Sequence, residues 1–326
     1  MTLDPIEQMV AELRWEATPD SSGEFSMTSS AALEKLAKFQ LRAPERYVLA
    51  AVAAGCAAGA TEIAITVHPD SCKIEMLGWL DVQVEALSGL FTSLFSSDPS
   101  LTPLRYLARA VLGAAGLNPY YVSLHVTKSD GKDGGSLRLT GNRFTSVNSR
   151  GRGRPGLCMF VQEHANAGVF QRLFGGLMGA QSPTLELLRA SCSFSSIPIH
   201  VNGKPIACLP RLGACEQVWK FGDVAGDWRG TPTVRELPEQ AGLRALIGWS
   251  LKPAWGCACA VVVHGVHYQL QPKTFGPNHT RGVIWYDGAR LDLSLENIVE
   301  DEQWNTRLNS LKELYESGTR SHRPGL

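Results

Sequence analysis

The sequence predicts an α+β protein built in two consecutive parts. Three observations carry that expectation. Over residues 27–141 pairs of helical patterns alternate with pairs of strand patterns. Residues 142–156 then lose all periodicity, and residues 157–294 return to short strands mixed with helical stretches before a closing helix and tail over 295–326. Two strand pairs in the first part can share one sheet with helices on one face, a two-layer α+β arrangement.

Residues 1–26 read as an N-terminal extension, a short acidic amphipathic helix and a Pro/Asp/Ser/Gly turn. Leu33, Leu36 and Phe39 line one face of a helix ending near Gln40. Pro44 suits a first helical position, and the helix it opens runs to a cap at Gly59. Ile63, Ile65 and Val67 alternate as a strand, as do Ile74 and Met76, with turn residues Pro69, Asp70 and Ser71 between them. Val84, Leu87, Phe91 and Leu94 form a helical stripe, and residues 101–115 a further helix. Residues 120–127 and 136–140 read as a strand pair.

The stretch NRFTSVNSRGRGRPG, residues 142–156, is predicted as a linker. Beyond it, 157–162 reads as a strand, and 169–178 and 183–190 as helices. Residues 197–201 and 205–209 read as a hairpin around Asn202-Gly203. Residues 257–270 read as one long Val-rich strand, and 283–286 with 289–293 as a hairpin around Asp287-Gly288. A closing helix covers about 295–316.

The 326 residues suffice for about two domains, and a chain of that length buries about three-quarters of its unfolded surface. Hydrophobic residues at 44% and charged residues at 19% exclude a disordered chain. Thirty-one basic and 31 acidic side chains cancel, so no global basic field draws nucleic acid or an acidic membrane. The N-terminal stretch lacks a basic segment followed by an apolar one, and the longest uncharged apolar run, 47–60, falls short of the roughly 20 residues that cross a bilayer. A soluble cytoplasmic protein is expected.

Chemistry motifs are sparse. There is no Walker-type phosphate loop, nucleophile elbow, HExxH or CxxC pair. Eight scattered cysteines (Cys56, Cys72, Cys158, Cys192, Cys208, Cys215, Cys257 and Cys259) read as free thiols in a reducing compartment. Cys257, Cys259 and His267 would share one face of the long strand, but residues ten apart on a strand lie about 33 Å apart, too far for one zinc ion. No metal site is expected. No carboxylate neighbours His264 or His267 in sequence, which argues against a general base there. Arg150, Arg152 and Arg154 alternate with glycines, but no aromatic platform interleaves with them and the whole chain is neutral, so no nucleic-acid partner is expected.

The segment YVLAAVAAGCAAGATEIAITV, residues 47–67, resembles the first motif helix, turn and strand of the GHKL (Bergerat-fold) ATPases, and among them the heat-shock-ninety and MutL type. Ala58-Gly59-Ala60-Thr61 matches their Ala-Gly-Ala-Thr turn, and the order of elements after it fits. Residues 186–206 and the strand near 261–263 resemble the transducer domain that follows in several of these families. The resemblance implies a GHKL-like domain over 27–141 and a transducer-like α+β domain over 157–294.

It also implies where nucleotide chemistry would sit, and there the residues are of the wrong kind. The family's water-activating Glu falls at Ala51, its magnesium-holding Asn at Gly55, and the acid before the turn at Ala58. The adenine-binding Asp falls at Met76, and of the glycines after it only Gly78 remains. Leu101 to Ala115, with Gly113 alone, replaces the glycine-rich lid. Glu45 lies about 240° around the helix from Ala51, and Glu75 would point to the other face of its strand from Met76. The expectation is a remnant nucleotide pocket at Ala51, Gly55, Ala58, Met76 and Gly78 with no catalytic residue, no cofactor and no metal. The chain reads as a non-catalytic interaction or regulatory module with a protein partner. The alternatives are a divergent chaperone-like ATPase that uses ATP and magnesium, and a metal-dependent enzyme using the C-terminal Cys/His set.

Overall fold

The computed structural model describes residues 44–80, 82, 86–87, 89–140, 143–147, 154–164, 183–206, 208, 210–212, 215–227, 231, 233–239, 242–250, 259–270, 280–292 and 297–320. The expected elements over 1–40 and 169–178 lie outside these residues, as do the predicted hairpin's Leu293 and most of the stripe's opening.

Helix α1 (Tyr47–Ala57) is buried from Tyr47 to Gly55 and stops where Gly59 takes φ +72°. The left-handed value is one glycine adopts without strain. Strands β1 (Glu62–His68) and β2 (Ser71–Leu77) form the expected antiparallel hairpin, with Ile65 opposite Ile74. The stripe ending at Leu94 yields a 3₁₀ segment, Leu90–Phe95, and helix α2 (Thr102–Gly116) packs along α1. Strands β3 (Tyr121–Thr127), β4 (Asp133–Thr140), β5 (Arg143–Val147) and β6 (Gly156–Gln162) follow. Helix α3 (Pro183–Cys192) leads to the short hairpin β7 (Ile199–Val201) and β8 (Lys204–Pro205). Its turn residues Asn202 and Gly203 have φ of +49° and +74°, as a type I′ turn requires.

These strands make one eight-stranded sheet in the order β5-β4-β3-β6-β2-β1-β7-β8. The predicted linker therefore needs correction, since 142–156 carries β5 and the first residue of β6. Strand β6, expected to open a second region, lies between β3 and β2. The reason is side-chain alternation: Leu157, Met159 and Val161 complete buried rows with Met76, Ile74 and Cys72 on one side and Val126, Leu124 and Val122 on the other.

A second sheet has the order β10-β9-β11-β14-β12-β13, with β9 (Gln217–Phe221), β10 (Thr233–Leu237), β11 (Arg244–Trp249), β12 (Cys259–Val263), β13 (Val266–Gln269) and β14 (Thr280–Trp285). The single long strand expected over 257–270 is two strands joined at His264-Gly265, both at positive φ (+46° and +78°). The hairpin expected at Asp287-Gly288 does not form, because β14 already pairs with β11 and β12 on its two edges. Helix α4 (Glu302–Arg320) closes this part, with Asp301 Oδ1 accepting from the Trp304 amide at 2.8 Å as an N-cap. Trp304, Leu308, Leu311 and Tyr315 are its buried face.

One continuous apolar core joins the two sheets through α1, α2 and α3. Among the described residues no helix is long and apolar enough to cross a membrane.

Candidate functional site

The helix that would carry nucleotide chemistry reads YVLAAVAAGCA from Tyr47 to Ala57. It holds no carboxylate and no amide side chain, so no shift of register along it supplies a general base or a magnesium ligand. Burial explains the composition. Nine consecutive residues lie in the core, where an unpaired charge or amide would be costly.

The structure brings two of the five remnant positions into direct contact. A Cβ built on Gly55 would stand 2.9 Å from Met76 Cγ and 3.0 Å from Ile63 Cδ1. Glycine is needed there for close approach of α1 to the sheet. Ala51 and Met76 are both fully buried. Ala58 caps the C-terminal end of α1, its amide donating to the Ala54 carbonyl at 3.0 Å. Gly78 turns the chain after β2 at φ +79°, and its amide donates to the Pro155 carbonyl at 3.1 Å. A Cβ on Gly78 would meet Thr61 Oγ1 at 2.9 Å, so it holds a tight crossing of backbones. Gly113, in the place of the lid, is buried inside α2.

The nearby acids face elsewhere. Glu45 is exposed ahead of α1. Glu75 lies on the opposite face of β2 from Met76 and pairs with Lys73 at 2.8 Å, as alternation requires. Glu62, on that same outer face of β1, lies 3.4 Å from Arg154 and 3.5 Å from His200 Nδ1. Magnesium requires oxygen ligands and adenine an acceptor for its amino group. The methyl of Ala51, the bare hydrogen of Gly55 and the thioether of Met76 provide neither, so these residues do not fit Mg-ATP.

The Cys/His set is dispersed. Cys257 lies outside the described residues. Cys259 on β12 is buried opposite Gly282, and His267 on β13 stands opposite Val262. Cys215 donates its thiol to the Leu212 carbonyl at 3.3 Å, and Cys208 is exposed. Among the described residues no three His, Cys, Asp or Glu side chains are placed to share a metal ion. Burial pushes the Cys56 and Cys158 thiols up to about 12 and Cys72 up to about 11. They remain protonated and weakly nucleophilic at neutral pH.

One pairing escaped the sequence. His264 sits in the β12–β13 turn, and its amide donates to Asp287 Oδ1 at 2.6 Å, with the ring nitrogen Nδ1 3.5 Å from the same oxygen. The ring meets Tyr106 of α2 edge-on at 5.3 Å. Burial lowers the affinity of His264 for a proton, and Asp287 opposes that shift only in part. Beside it, a Cβ on Gly265 would come within 2.5 Å of Cys56 Sγ. The turn is thus wedged against α1 and α2, and Trp285 Nε1 adds a bond to the Phe194 carbonyl at 2.9 Å. The only sequence signal for this contact was the His-Gly pair inside a Val-rich run.

No protein-family model matches the chain, and no curated protein does. Among solved structures it is similar to the B-subunit of DNA gyrase from Myxococcus xanthus, at 11% sequence identity and a TM-score of 0.50. The similarity covers 87% of this chain and 94% of that one. The shared feature is the fold: the chain has a GHKL-like α+β architecture.

Proposed function

We propose that this chain is a non-catalytic interaction or regulatory module, a GHKL-like scaffold whose nucleotide site has been replaced by core packing. The observation that carries the reading is the contact of Gly55 with Met76 and Ile63 beneath an α1 with no polar ligand. Side chains fill the ground where magnesium and phosphate would need polar groups. The wedge of the β12–β13 turn against α1 and α2 supports the same reading, because it ties the two sheets together through packed side chains. Such a body presents a constant surface, and its role is to hold a protein partner. Free thiols agree with a reducing, cytoplasmic setting.

Calorimetric titration with ATP and magnesium tests this. The reading expects no heat of binding and phosphate release equal to buffer. A second reading, a divergent chaperone-like ATPase, draws on the extent of the fold shared with a gyrase subunit. Binding in the micromolar range would put that reading first.

A further inference from the structure

The outer face of the first sheet, remote from α1 and α2, carries a feature that the sequence scatters over 45 residues. Tyr121 and Phe160 lie side by side on β3 and β6, ring centroids 5.9 Å apart and tilted by 35°. Tyr120 continues the line at 5.8 Å from Tyr121, and His164 stands 5.7 Å beyond Tyr120. Four rings thus follow one another at nearly even spacing along one end of the sheet. Tyr120 has 59% of its surface exposed, the largest value among the described large hydrophobic residues. Such exposure of an aromatic ring beside three others marks a contact surface.

Two cations belong to the same face. In register, Lys73 stands opposite Phe160, Phe160 opposite Ser123, and Ser123 opposite Arg138. Alternation puts all four side chains on one side of the sheet, so Phe160 has a cation on each flank. The guanidinium of Arg138 lies over the Tyr121 ring, 4.3 Å from its centroid, and its Nε is buried with no hydrogen-bond partner. Lys73 is balanced by Glu75, whereas Arg138 faces an aromatic ring.

We infer that this face binds single-stranded nucleic acid, with bases stacked on Tyr120, Tyr121 and Phe160 and phosphates drawn to Arg138. The reasoning is one of matched chemistry. Rows of aromatic rings on an open antiparallel sheet accept bases in sequence-tolerant stacking, and adjacent cations neutralise the backbone. A neutral ligand would leave the Arg138 charge unused, and a peptide strand would seek a sheet edge rather than a face. The net charge of zero disfavours a global field but does not oppose a local one. This departs from the expectation of no nucleic-acid partner. That expectation rested on the neutral net charge and on the missing aromatic platform beside Arg150, Arg152 and Arg154, and the fold assembles a platform elsewhere.

Fluorescence anisotropy of the full chain with labelled twelve-nucleotide oligo-dT and oligo-U tests the proposal. Saturable binding is expected, weakening as salt rises. Tyr120→Ala changes an exposed residue, so folding survives, and it should weaken binding at least five-fold. Arg138→Met should weaken binding and lower the slope of log affinity against log salt by about 0.7. Equal affinity for a twelve-base-pair duplex would overturn the stacking argument. So would binding indifferent to both variants. No anisotropy change up to 100 micromolar chain (on the order of the weakest non-specific binding) would also overturn it. A self-association that Tyr120→Ala abolishes, with no oligonucleotide bound, would assign the face to a second copy instead. None of these outcomes bears on the Mg-ATP titration.

Discussion

Replacing Gly55 by alanine is the sharpest test of the packed site. The exchange adds one methyl group where α1 meets the sheet. In an open helix it would stabilise by about 1 kcal/mol, because glycine is a poor helix former. Here the new carbon would stand 2.9 Å from Met76 Cγ and 3.0 Å from Ile63 Cδ1. Met76 and Ile63 are fully buried, so neither can swing into solvent. Overpacking of this kind costs about 1–3 kcal/mol, and the sum is a net loss of about 1 kcal/mol. Met76→Ala alone leaves a cavity and costs about 2–5 kcal/mol. In the double variant the alanine methyl enters the space Met76 vacates, which removes the closer of the two clashes and lets the carbon ease away from Ile63 Cδ1. The double loss should then be smaller than the sum of the single losses by about 1–3 kcal/mol, a coupling expected of residues in contact. Urea unfolding of the four proteins measures the cycle. Additivity within about 0.5 kcal/mol, or stabilisation by Gly55→Ala alone, would refute the close approach of α1 to Met76.

Three further predictions follow from the same geometry. Ala51→Glu places a carboxylate at a fully buried position without a partner, so it should lower stability by about 3 kcal/mol or more and leave ATP hydrolysis at buffer level, read by urea unfolding and phosphate release. His264 and His267 both bind protons less readily when folded, so below the unfolded histidine value of about 6.5 the unfolded chain takes up more protons and stability falls with pH. His264→Asn, which tolerates the left-handed turn, should flatten part of that decline in thermal melts between pH 7 and pH 5. A protease site inserted between Asn148 and Gly153 should, once cut, give two fragments that co-elute in gel filtration, because β6 is hydrogen-bonded between β2 and β3. Separation of the fragments would argue against that pairing.

Local features were legible because short-range rules decide them. The alternation of Ile63, Ile65, Ile74 and Met76 gave the β1–β2 hairpin its faces, and it set Glu75 on the face of β2 away from Met76. Gly59 marked the end of α1 because only the backbone freedom of glycine suits that position. The failures are of two kinds. At His264-Gly265 a turn was hidden inside a Val-rich run, since histidine tolerates positive φ but signals it weakly. Elsewhere the deciding contact was distant in sequence. The pattern of Leu157, Met159 and Val161 says that β6 has one buried face, but not that its neighbours are β2 and β3. In the candidate site, the apolar residue types at Ala51, Gly55 and Met76 were readable. The Gly55–Met76 contact and the Asp287–His264 pair were not, nor was the row of rings from His164 to Phe160, because each joins separate elements.

The order of strands in the first sheet also governs how the chain can be made. Strand β1 pairs on one side with β2, immediately after it, and on the other with β7, where Ile63 meets Ile199. Those two residues are 136 positions apart. At about 5–20 residues per second, a ribosome needs roughly 7 to 27 s to deliver the second after the first. Throughout that interval the apolar strand EIAITVH presents an open edge, and so does β2 until β6 emerges. Unpaired edges of this kind are templates for association with other nascent chains. The yield of soluble protein should therefore depend on translation speed and on chaperones that cover strand edges, even though the finished sheet leaves both of those edges paired.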